Sequence, residues 1–260
     1  MNLIILAAGR GTRLHPLTED RPKCAVEIDG RSILDWQVDA AAASGIDDVV
    51  VVGGHEIDRL RSRTDIRLLE NEEFASTNMV ATLARAEAAF GTGFVMSYGD
   101  IVYEHGVLEQ LLSFSDDHPV AVVVDTQWRE YWQERFDDPL TDAESLRLAS
   151  DGRILELGQR VTDIDEIEAQ YIGLVRFTAS GVSVLRDALA RLREAEVAGR
   201  PTGRSFSTMY MTDLLQLLID DGHAVTAVPI QGGWAEIDTL HDLTVASGRA
   251  DRGLLRLGTN

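Results

Sequence analysis

Residues 2–7 form a short, largely apolar run followed by a stretch with two glycines, Gly9 and Gly11. That pattern predicts a short buried strand feeding a sharp turn. Ile33, Trp36, Ala40 and Ala43 then recur at helical spacing, and Ser32 stands where an N-cap belongs. Residues 48–52 and 66–69 predict two more buried strands, with Gly45 and the Gly53-Gly54 pair as breaks. Met79, Leu83, Ala86 and Phe90 mark one face of a helix whose N-cap is Thr77 or Asn78. Beyond it, strands are expected at 94–97, 118–124, 170–177 and 224–229, long helices at 181–198 and 211–221, and a last helix from Thr239. Residues 145–149 and 153–157 flank Asp151-Gly152 as a hairpin. Strand and helix alternating in this way predict an α/β fold with a mostly parallel central sheet flanked by helices.

The first break carries the chemistry. Leu6, Ala7, Ala8, Gly9, Arg10, Gly11, Thr12, Arg13 and Leu14 are followed by Pro22-Lys23. Successive main-chain N–H groups in such a loop make an anion-binding concavity, and Arg10, Arg13 and Lys23 add fixed positive charge. The expected ligand is a nucleoside triphosphate. A dinucleotide fingerprint is excluded because Leu14 fills its third glycine position and Pro16 follows, which also removes a nicotinamide-dependent oxidoreductase. A Walker loop is excluded because G-x-x-x-x-G-K-[ST] is matched nowhere.

Composition narrows the partners. With 260 residues, 45% of them hydrophobic, the chain can bury one large core, and no Pro/Gly/Ser-rich linker divides it. One domain spanning 1–260 is expected, with an inserted lobe at about 125–171, where Trp128, Tyr131, Trp132 and Phe136 crowd among acidic residues. A net charge of −19, from 24 Lys and Arg against 43 Asp and Glu, repels polyphosphate backbones and argues against nucleic acid. Cys24 is the only cysteine, so neither an intrachain disulfide nor a cysteine zinc cluster can form. Its expected role is a small apolar filler beside Lys23. The first apolar run is too short for a signal peptide and no run of about 18 apolar residues exists, so a cytoplasmic protein without a membrane partner is expected.

Asp100 lies just past the predicted 94–97 strand, where open α/β sheets bind ligands. If residues 234–238 are extended, Trp234, Glu236 and Asp238 share one face. Attack of one phosphorylated anion on another requires charge neutralisation and alignment. Asp100 and Asp238 could hold Mg2+, which takes one or two carboxylates with phosphate oxygens and water. Arg13 and Lys23 would stabilise charge on the phosphates.

The loop through Lys23, the 71–78 segment, Tyr98-Gly-Asp100, the stretch from Trp128 to Glu144, Gln170-Tyr-Ile-Gly-Leu174 and Trp234 to Asp238 together resemble the phosphocholine and phosphonate cytidylyltransferase branch of the nucleotidyltransferases. The resemblance covers nearly the whole chain. It implies a GT-A-like, Rossmann-like fold with a small α+β lobe over the site, and transfer of CMP from CTP to a small phosphorylated or phosphonate acceptor such as phosphocholine or 2-aminoethylphosphonate. It implies Mg2+ on Asp100 and Asp238, and a nucleotide on Leu6, Ala7, Ala8, Gly9, Gly11, Thr12, Arg13, Thr77, Asn78 and Tyr98.

Hexose-1-phosphate relatives carry Glu-Lys-Pro ahead of the strand at 170–177, where this chain has Gly158-Gln-Arg160. Arg160 can still bind a phosphate bidentately. For the acceptor, Trp128, Tyr131, Trp132, Tyr171 and Trp234 are expected ring faces for a cationic head, with Glu236 and Asp138 as counter-charges. Two alternatives stay open: a sugar-1-phosphate nucleotidylyltransferase using UTP, dTTP or GTP, and a non-catalytic nucleotide sensor. Pairing into a homodimer is also left open.

Overall fold

The computed structural model describes residues 1–199 and 203–258. Its strands are β1 (Asn2–Ala7), β2 (Glu27–Ile28), β3 (Arg31–Ser32), β4 (Val49–Gly53), β5 (Arg67–Glu70), β6 (Phe94–Tyr98), β7 (Ile101–Tyr103), β8 (Val120–Asp125), β9 (Glu144–Leu148), β10 (Ile154–Arg160), β11 (Gln170–Phe177), β12 (Val225–Ile230) and β13 (Trp234–Glu236). The helices are α1 (Ile33–Ala43), α2 (Met79–Arg85), α3 (His105–Ser113), α4 (Trp128–Arg135), α5 (Ala179–Val197), α6 (Met211–Asp220) and α7 (Leu240–Asp251).

Seven strands form the main sheet in the order β12-β8-β11-β6-β1-β4-β5. All neighbours are parallel except β11, which runs antiparallel to both β6 and β8. Strands β1, β4 and β8 are buried on both faces, which is why they read as nearly continuous apolar runs. Leu3 and Ile5 of β1 face a core built with α1, α3 and α4, while Ile4 and Leu6 face one built with α2, α5 and α6.

The chain leaves β1, adds β4 and β5 on one side, and returns with β6 on the other. The β1/β6 boundary is therefore a topological switch point, and loops leaving the carboxyl ends of both strands border the same crevice.

Helix α1 starts where Ser32 predicts, with a complete capping box: Ser32 Oγ accepts from Asp35 N at 3.0 Å and Asp35 Oδ2 accepts from Ser32 N. Its buried face differs from the apolar stripe. Ile33, Leu34, Gln37, Ala40 and Ala41 are buried, whereas Ala43 is exposed and Trp36 is half-buried. The helix turns Gln37 inward because its Nε2 donates to Tyr98 O at 2.9 Å and Ile101 O at 2.6 Å, fastening the turn that carries Asp100. Helix α2 is shorter than its apolar periodicity suggests, ending at Arg85, with a separate turn at Glu87–Ala89.

Candidate active site

Gly11 adopts a left-handed conformation, φ 60°, and a Cβ there would stand 3.1 Å from Lys23 Cβ and from Thr18 Cγ2. The loop after β1 can thus wrap closely around the stem of Lys23. Leu14, the residue that breaks the dinucleotide pattern, is fully buried at the end of the turn Thr12–Leu14 and donates its N–H to Gly11 O at 2.9 Å. It anchors the loop from below. Cys24, with no exposed surface, plays the same part in the turn Lys23–Ala25, and burial pushes its thiol up to about 12.

Gly99 brings β6 against β1: a Cβ there would lie 2.7 Å from Leu6 O, and Gly99 N donates to that oxygen at 2.9 Å. Asp100 follows at once and leads into β7. Strand β7 pairs antiparallel with β13, Glu236 opposite Ile101, and Ile237 N donates to Asp100 O at 2.9 Å. This small ribbon brings the distant carboxylates together, since Asp100 precedes one of its strands and Asp238 follows the other. Asp100, Glu236 and Asp238 each offer an oxygen within 4.8 Å of the others.

Two cations close the cluster. Lys23 Nζ donates to Asp100 Oδ2 at 2.7 Å and to Asp238 Oδ1, and Arg13 Nη2 donates to Asp238 Oδ2 at 2.5 Å. Burial alone would lower the Lys23 ammonium, but Asp100, Asp238 and Glu236 hold it well above its ordinary value. Burial would raise Asp238, and Lys23 with Arg13 overcomes it, keeping that carboxyl below the usual range. Burial wins at Glu236, with Asp238 and Asp100 adding to the rise against Arg135 and Lys23. Asp100 Oδ1 is buried with no hydrogen-bond partner among the described residues. Three carboxylates, one with an unpaired oxygen, suit a hard divalent cation.

Beside this cluster opens a cavity lined by Leu6, Ala7, Ala8 and Gly9 on one side and Phe74, Thr77, Asn78, Met79 and Thr82 on the other, with Lys23, Gly99 and Asp100 at its inner end. Asn71, fully buried, holds the second wall: its Nδ2 donates to Thr77 Oγ1 and Thr82 Oγ1, each at 3.0 Å. Asn78 caps α2, accepting from Met79 N at 2.9 Å, so it both ends a helix and lines the cavity.

A family model described as the MobA-like NTP transferase domain matches residues 3–224. The chain belongs to this family. The transferase is 38% identical over 255 residues to a CTP:phosphoglutamine cytidylyltransferase of Campylobacter jejuni, covering 94% of this chain and 98% of that protein. It is 27% identical over 149 residues to a choline-phosphate cytidylyltransferase of Streptococcus pneumoniae, covering 49% of this chain and 65% of that protein. Its fold matches the structure of the CTP:phosphocholine cytidylyltransferase from Streptococcus pneumoniae with a TM-score of 0.71 at 20% identity, over 96% of this chain and 98% of that one. This NTP transferase is an enzyme of the nucleotidyltransferase class.

The aromatic residues expected to form an acceptor cage sit elsewhere in the transferase than the sequence suggests. Trp128, Tyr131, Trp132 and Trp234 are 1–3% exposed and pack edge-on or tilted against one another in the core. Their polar edges are also committed, Trp132 Nε1 to Asp142 Oδ2 at 3.1 Å and Trp234 Nε1 to Asp125 Oδ2 at 2.9 Å. None presents a free ring face: Trp128, Tyr131 and Trp132 lie on the buried side of α4, and Tyr131 and Trp132 pack against Trp234 of β13. Tyr171 opens β11 beside Tyr98, ring centroids 5.6 Å apart, and its hydroxyl is buried without a partner among the described residues. Arg160 is exposed at the end of β10, opposite Glu144 in the hairpin register. Asp138 is exposed and caps a short turn, accepting from Leu140 N at 3.0 Å.

Arg135, Asp242 and Asp125, all buried, are not marked as site residues by the sequence. Thr239-x-x-Asp242 is readable as a capping pair. Nothing in the pattern of 128–135 signals that Arg135, and not Arg129, turns inward.

Proposed function

We propose that this transferase is a cytidylyltransferase that moves CMP from CTP to a small phosphorylated acceptor and releases pyrophosphate. The observation that carries the choice of CTP is the whole-length kinship with the Campylobacter jejuni enzyme. Leu6, Ala7, Ala8, Gly9, Gly11, Thr12, Arg13, Thr77, Asn78 and Tyr98 take the nucleotide, of which Leu6 to Gly9, Thr77 and Asn78 line the cavity. Arg13 and Lys23 face its phosphates. An oxyanion of the acceptor phosphate attacks the α-phosphorus, the bond to the bridging oxygen of the β-phosphate breaks, and pyrophosphate leaves with that electron pair. No general base is needed, since the nucleophile is already ionised.

Asp100, Glu236 and Asp238 suit Mg2+, which when bound would neutralise phosphate charge and orient the attack. The acceptor lies on the side of Tyr171, Glu236 and the 125–171 lobe. The near full-length likeness to the Campylobacter jejuni enzyme supports phosphoglutamine ahead of phosphocholine as the acceptor. The protein works in the cytoplasm, where CTP is made available.

Thermal-shift titrations with CTP, UTP, dTTP and GTP in the presence of Mg2+ test the nucleotide. CTP should stabilise the protein at the lowest concentration. Stronger stabilisation by UTP or dTTP would overturn the assignment.

A further inference from the structure

Arg135 ends α4 with no exposed side-chain surface. Its Nη1 donates to Glu236 Oε2 at 2.8 Å and its Nε donates to Asp242 Oδ1 at 2.9 Å. The other oxygen of Asp242 accepts from Asp238 N at 3.0 Å and from Thr239 N at 2.8 Å. One guanidinium therefore reaches two members of the carboxylate cluster, Glu236 through its side chain and Asp238 through the main-chain amide that Asp242 holds.

The same helix grips β13 a second time. Tyr131, one turn before Arg135, accepts from Glu236 N at 2.9 Å and donates to Glu236 O at 3.3 Å. Both main-chain groups of Glu236 are thus bound to one hydroxyl while its carboxylate is bound to the arginine. The rings of Tyr131, Trp132 and Phe136 stand 4.9–5.4 Å from the guanidinium carbon and keep water from this contact.

An arginine that served only to join α4 to α7 would need Asp242 alone. Its second bond goes to Glu236, whose carboxylate oxygen lies within 4.8 Å of those of Asp100 and Asp238. A planar fork can address two carboxylates in fixed directions, which an ammonium on a flexible stem cannot.

We propose that Arg135 is a positioning residue that, directly and through Asp242, sets Glu236 and Asp238 in the geometry that receives the divalent cation, without touching the reactants. The proposal rests on the reading of the carboxylate cluster as a metal site.

The test uses the full chain without nucleotide. Mn2+ binding is measured by electron paramagnetic resonance for wild type, Arg135→Lys and Asp242→Asn, with thermal melting of the apoprotein and with kcat and KM for CTP at saturating metal. Both variants should remain folded and bind Mn2+ about 10- to 100-fold more weakly. Their kcat should fall by a similar factor while KM for CTP moves by less than about threefold. A lowered melting temperature with unchanged Mn2+ affinity and unchanged kcat in either folded variant would overturn the proposal, leaving Arg135 a structural link. If Arg135→Lys does not fold, Asp242→Asn alone decides in the same terms. Absence of Mn2+ binding by wild type would instead remove the metal site itself, and the proposal with it.

Discussion

Lys23 Nζ donates to Asp100 Oδ2 at 2.7 Å and also to Asp238, so a single ammonium bridges the two aspartates assigned to the cation. A divalent cation held by these oxygens would compete with Lys23 for both carboxylates. We predict that Lys23→Ala binds Mn2+ more tightly than wild type when no nucleotide is present, because two carboxylates lose their counter-charge. Its turnover at saturating CTP should nevertheless drop by about 100-fold or more, with a smaller change in CTP binding. Weaker Mn2+ binding would contradict the competition, and a change in KM alone would make Lys23 a ground-state binder.

Asp100→Asn and Asp238→Asn each remove charge from the cluster and should lower turnover by about two decades with the fold retained. The stability effect has a pH signature at Asp238. Lys23 and Arg13 overcome burial and hold its folded carboxyl below the ordinary value, so its contribution is present above the unfolded value of about 3.9 and fades as pH falls through the folded one. Urea unfolding of wild type and Asp238→Asn should show a difference near pH 7 that shrinks toward pH 3. A difference that grows on acidification would refute the pairing.

Trp234 is 2% exposed and bonded to Asp125, whose second oxygen accepts from Gly232 N and Gln127 N. Trp234→Ala should cost about 3–5 kcal/mol of stability, as large-to-small core changes do. Equilibrium denaturation measures it. A normally stable variant with a selectively raised KM for the acceptor would restore Trp234 to the acceptor pocket.

Cys24 has no exposed surface and a thiol pushed up to about 12 by burial. The native protein should resist a thiol reagent such as DTNB at pH 8 and react fully in guanidinium. Rapid labelling of the native chain that Mg2+ and CTP suppress would show that Cys24 lines the site after all.

The parts legible in sequence are those whose cause is local. Asn2–Ala7 ending at Gly9 and Gly11 marks a strand and a tight loop, and Ser32 and Thr239 mark helix starts, because each depends on a few neighbouring residues. The parts that were not legible depend on partners far along the chain. Gln37 faces inward because the carbonyls of Tyr98 and Ile101 await it, and Arg135 is buried because Glu236 and Asp242 neutralise it. The aromatic cluster misled for the same reason. Three rings on one short helix and a fourth on a distant strand suit an open cage or a core equally well, and burial decides for the core, with Asp142 taking the N–H of Trp132 and Asp125 that of Trp234.

The most direct measurement is pyrophosphate release, with product identified by mass, for each of CTP, UTP, dTTP and GTP paired with phosphoglutamine, phosphocholine, 2-aminoethylphosphonate and glucose 1-phosphate. The expected result is Mg2+-dependent, stoichiometric formation of pyrophosphate and a CMP-linked product from CTP and a small non-sugar acceptor, with phosphoglutamine ahead of phosphocholine. Faster reaction of UTP or dTTP with glucose 1-phosphate, or CTP binding without pyrophosphate release from any pair, would contradict it.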